Sequence, residues 1–415
     1  MVSFRLLLVL FCFRVIDAQL EGGLLGLLKP DGVQISLPGL LGLTDKRKST
    51  TATTTTTSTT TTTTTPAPLT QASVTSKKPT GPAAACGYTP TFVNGKRSCR
   101  GKLIFQDGFS KLAGKWFTEN RFAGEPDYEF TIYQGNAENL YLNKNKLHIR
   151  PTLTDDKYGN GFVTGDRELN LGDTCTGRPA TEDCVQRPRA WMIVPPTISS
   201  MISTKKHFSF LYGIVEIRAR LPKGDWIYPQ LYLKPKSEFY GAGYESGLIK
   251  IAHVAGNANM SKTLAGGVIL SQSDFGRNYG IKNVSSPTHW NHDFHDFKIV
   301  WTADSITFTV DDEVYGVVEP PEDGFGSLSD LEHSPEVLEK WKQGSKIAPF
   351  DKEMYLVLGI GVGGQLFPDS EGSAKPWENF DPKGPLNFYK ARDVWKKTWG
   401  DTSDLVIDQV KVWAL

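Results

Sequence analysis

At 415 residues the chain is long enough for one large domain with appendages or for two ordinary domains. Its 46 basic and 45 acidic residues leave a formal charge of +1, so no global field selects nucleic acid or an anionic membrane surface. A neutral partner suits this balance.

Residues 1–18 place Arg5 before the short apolar run Leu6–Phe13 and end on Ile16-Asp17-Ala18, the order of parts of a secretory signal peptide cut near Ala18. No later stretch approaches the ~20 apolar residues of a membrane span, so a secreted, extracellular chain is expected. Beyond Cys12 four cysteines remain, Cys86, Cys99, Cys175 and Cys184, an even count that favours disulfides in an oxidising compartment. Three pairings are open; loop closure makes Cys86–Cys99 and Cys175–Cys184 the least costly. Within 19–48, Val33, Ile35 and Leu37 alternate with Gln34 and Ser36 as one strand that cannot bury its face alone. Residues 49–85 are Thr- and Pro-rich, too poor in apolar surface to offset ordering entropy, and read as an O-glycosylated linker.

From Cys86 to Leu415 strand patterns recur. Val215, Ile217, Ala219 and Leu221 alternate with Glu216, Arg218 and Arg220; Ile306, Phe308 and Val310 alternate with Thr307 and Thr309. Leu356, Leu358, Ile360 and Val362 alternate with Val357, Gly359 and Gly361. The best helix is short, with Ser334 as N-cap, Pro335 first and an end at Gln343. Many short strands with Gly and Pro turns predict an all-β, antiparallel β-sandwich.

Tyr244–Asn257 reads Y-E-S-G-L-I-K-I-A-H-V-A-G-N. On a strand Leu248 and Lys250 share one face and Ile249 and Ile251 the other; a bulge near Ala252 returns His253 to the face of Leu248 and Lys250. This spacing resembles the active-site strand of glycoside hydrolase family 16, S-G-E-I-D-I-x-E followed by Gly-Asn, with Ser246, Gly247, Ile249, Ile251, Gly256 and Asn257 kept. Segments at Leu103–Phe109, Phe210–Trp226, His292–Trp301, Pro349–Gly364 and Val406–Trp413 follow in family order. With the signal and linker, the pattern is similar to the insect beta-1,3-glucan recognition and Gram-negative bacteria-binding group. The resemblance implies a concanavalin-like jelly roll over 86–415, and P-D-G-V-Q-I-S-L-P-G in 19–48 looks like a remnant of that group's amino-terminal glucan-recognition module.

The resemblance also maps the nucleophile, its assisting Asp and the acid/base onto Leu248, Lys250 and His253. A retaining glycosidase needs two carboxyl groups roughly 5–5.5 Å apart, and none stands at these places, so a catalytically inactive domain is expected. By family position Trp226, Tyr228, Trp290 and Trp377 are candidate sugar contacts, with Lys250 and His253 as cleft donors. Asp107 and Asp408 are a candidate structural calcium site; no other cofactor is expected. Gly359, Gly361 and Gly364 match G-x-G-x-x-G, but no helix pattern follows, so a dinucleotide site is not expected. His292, Asp293, His295 and Asp296 are read as a solvated strand edge. Asn259 and Asn283 begin N-glycosylation motifs. The expected function is non-catalytic recognition of microbial beta-1,3-glucan or a related surface polysaccharide in innate immunity, with an immune protease or receptor as protein partner. The alternatives are a protein-docking scaffold with a plugged cleft, or a weak residual beta-glucanase.

Overall fold

The computed structural model describes residues 86–370 and 374–415. The signal (1–18), the remnant with its Val33–Leu37 strand (19–48) and the linker (49–85) lie outside the described residues.

In chain order the strands that frame the site are β1 (Met201–Ser203), β2 (Gly213–Arg220), β3 (Ile227–Pro235), β4 (Leu248–His253), β5 (Thr263–Ile269), β6 (Gly280–Ser285), β7 (His295–Trp301), β8 (Met354–Val362) and β9 (Leu405–Trp413), with helices α1 (Asp274–Asn278) and α2 (Pro335–Gln343). The period of two read from β2 is kept, with Val215, Ile217 and Ala219 buried and Glu216, Arg218 and Arg220 half-buried. Among the described residues two antiparallel sheets dominate, one of ten strands and one of eight. The first runs β6-β5-β4-β3-β8, with β1 also paired to β8; in the second, β7 and β9 flank β2. The fold is therefore the expected all-β antiparallel sandwich.

Between the sheets Val215, Ile217, Ile249, Ile251, Leu356 and Leu358 pack with Trp301. The Trp301 indole is fully buried, donates from Nε1 to the Phe350 carbonyl at 3.0 Å, and meets Phe210 and Tyr212 edge-on. Its polar atom is satisfied, so the ring contributes its full apolar area. Helix α2 has the expected bounds: Ser334 Oγ accepts from the Val337 amide, and Pro335 opens the first turn. Its Trp341 donates to the Glu245 carbonyl at 2.9 Å, which pins the turn that leads into β4.

The second face of the ten-stranded sheet is also covered. Val357, on the face of β8 that points away from the sandwich core, is only 1% exposed. A strand at Thr131–Tyr133, paired in parallel with Thr197–Ser199, and the loop before it lie over that face. The glycines of the G-x-G-x-x-G match make room there. A Cβ at Gly361 would sit 2.3 Å from the Tyr228 ring, and one at Gly359 would sit 2.7 Å from Gln230 Oε1. They let neighbouring side chains cross β8 and have no phosphate-cradle geometry. Both short-loop disulfides, Cys86–Cys99 and Cys175–Cys184, are formed.

Candidate functional site

The bulge is where the sequence spacing requires it. Lys250 stands opposite Gly267 and His253 opposite Ala265, so three steps on β4 match two on β5. On the other side Tyr232 faces Lys250 and Leu231 faces Ala252, with Ile251 as the extra residue. Leu248, Lys250 and His253 thus share the covered face, beside Tyr228, Gln230, Tyr232 and Lys234, which alternate along β3.

Each substituted position has a distinct environment. Leu248 is buried in an apolar cluster with Tyr133, Met201, Tyr232, Tyr244, Ile269 and Val357. Lys250 is 6% exposed, and among the described residues no hydrogen bond or ion pair reaches it. Burial pushes its ammonium down to about 8; the Asp127 charge opposes this and the Arg277 charge adds to it. His253 is held well below the ordinary imidazole value, first by burial and then by Lys250, so it is neutral at pH 7. Its Nδ1 is buried without a partner among the described residues, and its ring lies 5.2 Å from that of Tyr228. The hydroxyls of Tyr228 and Tyr232 are likewise buried, with no hydrogen-bond partner among the described residues. These atoms form one patch of unmet hydrogen-bonding capacity on the covered face.

Above it runs a bridge that sequence reasoning missed. Asp127 belongs to the loop anchored on β8, where the Phe130 amide donates to the Val362 carbonyl at 2.8 Å. Arg277 belongs to α1, beyond β5. Arg277 Nη1 meets Asp127 Oδ1 at 2.7 Å, its Nη2 donates to the Pro126 carbonyl at 2.9 Å, and the Tyr244 hydroxyl reaches both Asp127 oxygens at 2.7–2.8 Å. The contact therefore joins two sides of the sheet across β3 and β4. Nearby, Glu129 accepts from Gln230 Nε2 at 2.7 Å and from the Tyr133 hydroxyl at 2.9 Å; burial and then Asp127 raise its carboxyl above the usual range.

The aromatic candidates are placed inside. Trp226, Tyr228, Trp290 and Trp377 are 8%, 0%, 9% and 4% exposed. Trp226 packs edge-on against Phe367 and Trp377 at 5.3 and 5.1 Å, and Trp377 donates to the Gly364 carbonyl. The Gly-Asn after β4 has a local reason: Asn257 Oδ1 accepts from the Trp226 amide at 2.9 Å, holding that residue at φ +64°. At Gly256 a Cβ would lie 2.3 Å from the Gly224 carbonyl oxygen.

Asp107 accepts from the Phe109 amide and Trp116 Nε1 and lies 3.4 Å from Lys115; Asp408 pairs with Lys146 and Arg218. Among the described residues no group of three or more His, Cys, Asp or Glu side chains is arranged to hold a metal; His295 pairs with Asp311 and Asp296 with Arg218. Asn259 and Asn283 are both exposed, the latter on the edge strand β6. Among the described residues no helix is long and apolar enough to cross a membrane.

Comparison with known proteins places this geometry. The family described as Glycosyl hydrolases family 16 matches residues 182–327. A "Beta-1,3-glucan-binding protein" of Tenebrio molitor is 47% identical over 337 residues, covering 80% of this chain and 69% of the relative. "Gram-negative bacteria-binding protein 1" of Drosophila melanogaster is 35% identical over 336 residues, covering 76% and 65%. Among solved structures, the family GH16 endo-beta-1,3(4)-glucanase SCLam aligns at a TM-score of 0.50 with 17% identity, over 75% of this chain and 90% of that one, a likeness of fold alone.

Proposed function

The chain belongs to the family of beta-1,3-glucan-binding proteins, and from that premise we propose that it is a secreted, non-catalytic pattern-recognition protein that binds microbial beta-1,3-glucan or a related surface polysaccharide. The observation that carries this reading is the content of β4. Leu248, Lys250 and His253 offer no carboxylate where a retaining hydrolase requires two. The carboxylates next to the strand are engaged, Asp127 by Arg277 and Tyr244, and Glu129 by Gln230 and Tyr133. Neither carboxylate lies on β4, and each is oriented by these contacts. The groups of Tyr228, Tyr232 and His253 that have no partner among the described residues, with Lys250 beside them, are the hydrogen-bonding capacity that glucan hydroxyls would use once the bridge between Asp127 and Arg277 opens.

The full chain is expected to sediment with insoluble curdlan and to release no reducing ends from laminarin. Failure to sediment, or steady release of reducing sugar, overturns the proposal. Amino-terminal sequencing of protein from culture medium tests secretion, with a start directly after Ala18 expected.

The bridge between Asp127 and Arg277 favours a second reading, a protein-docking scaffold with a plugged cleft. Under that reading neither the chain nor its Arg277→Ala variant sediments with curdlan. Under the first, opening the bridge preserves or strengthens retention.

A further inference from the structure

A second polar cavity, of about 420 Å³, lies further along the covered face of the ten-stranded sheet. Its size falls in the range of about 300–1,000 Å³ of small-molecule sites. Lys234 on β3 and Tyr355 on β8 contribute to its floor; the Glu119–Glu125 segment and the loop closed by Cys175–Cys184 wall it. Four cations and three carboxylates line it, and the carboxylates are committed. Glu119 holds Lys205 at 2.6 Å and accepts from Thr176 Oγ1 at 2.8 Å. Asp183 holds Arg178 at 2.9 Å, and Glu125 accepts from the Tyr128 hydroxyl at 2.9 Å.

Lys234 differs from the other cations. Among the described residues no hydrogen bond or ion pair reaches it, while Arg178 and Lys205 are paired and Arg121 stands 3.9 Å from Glu119. A half-buried lysine with no hydrogen-bonded or ion-paired partner among the described residues gains from an anion that fits beside it. Burial and then the Arg121 charge hold Lys234 below its ordinary value, against the opposing charges of Glu129, Asp127 and Glu119, and an anion placed between Lys234 and Arg121 offsets the repulsion of the two cations. The half-buried Tyr355 ring offers an apolar surface for a sugar face. The committed oxygens of Glu119, Thr176 and Asp183 still have acceptor capacity for hydroxyl groups.

We propose that this cavity binds a hexuronate residue of an acidic polysaccharide, its carboxylate held between Lys234 and Arg121. The site lies apart from β4 and extends recognition from neutral glucan to acidic polymers. Isothermal titration of the full chain with oligogalacturonate, its neutral methyl ester, laminarihexaose and inorganic phosphate tests it. Oligogalacturonate is expected to bind about tenfold or more tighter than the ester, the worth of one charge-assisted contact. Lys234→Met abolishes that difference and Lys234→Arg keeps most of it. Equal affinity for acid and ester, or a preference that survives Lys234→Met, overturns the proposal. Inorganic phosphate binding as tightly as the oligosaccharide also overturns it, because the site is then a bare anion pocket. The laminarihexaose titration reports separately on the glucan reading: no binding there beside tight, Lys234-dependent oligogalacturonate binding supports the hexuronate site and sinks the glucan reading.

Discussion

Replacing Lys250 with methionine is expected to stabilise the protein, against the usual direction of a substitution in a buried site. Lys250 is 6% exposed, and nothing among the described residues pairs with it. A fall from 10.5 to about 8 corresponds to about 3 kcal/mol, at about 1.4 kcal/mol per tenfold in proton affinity. The sign follows from linkage. Below pH 8 the lysine is charged in both folded and unfolded chains, and the burial cost is present in full. Between pH 8 and 10.5 the folded state releases its proton first, so the unfolded state binds more protons and stability rises with pH. Methionine fills nearly the same volume without the charge. Lys250→Met should therefore be about 3 kcal/mol more stable than the parent at pH 7, with the gap closing as pH approaches 10.5. Urea denaturation at pH 7 and pH 10 measures it, and other titrating groups cancel in the difference. A variant less stable at pH 7, or a gap unchanged at pH 10, would show that the Lys250 ammonium carries no burial cost.

Three further variants test the covering of the cleft. Arg277→Ala strands the buried Asp127 carboxylate and should cost about 3–5 kcal/mol in urea denaturation; a loss under about 1 kcal/mol means the bridge holds nothing. The double substitution Leu248→Glu with His253→Glu restores the number of carboxylates but puts one in the apolar cluster of Tyr133, Met201 and Tyr244. Laminarin should remain uncut while stability falls by about 3 kcal/mol or more, and turnover in a reducing-sugar assay would show that the cleft is open. Trp226→Ala should cost about 3–5 kcal/mol in thermal or urea unfolding, because its ring is packed against Phe367 and Trp377. Unchanged stability with lost curdlan retention would make it a sugar platform instead.

What was legible in the chain was local. The alternation in β2, the capped start of α2 at Ser334 and the bulge that returns His253 to the face of Lys250 each follow from a few adjacent residues, and each is present. The side of β3 that carries Tyr228, Gln230, Tyr232 and Lys234 was equally readable, since Y-P-Q-L-Y-L-K repeats with a period of two, yet only Tyr228 was singled out. Trp226 and Trp377 show a different limit. A large aromatic residue is spelled the same whether it packs in a core or faces a sugar, and only the neighbours decide. Asp127 and Arg277 are 150 residues apart, on a loop and a one-turn helix without periodicity, so nothing near either one marks the partner. The burial of Val357 has the same origin, because the strand that covers β8 comes from residues 131–133.

The central claim is that this sandwich keeps a glucan without cutting it. Native mass spectrometry of the full chain after prolonged incubation with laminarihexaose tests both halves in one spectrum. A complex carrying the intact hexasaccharide, with no shorter products in solution, is expected. Free protein alone, or a mixture of shortened oligosaccharides, would contradict it.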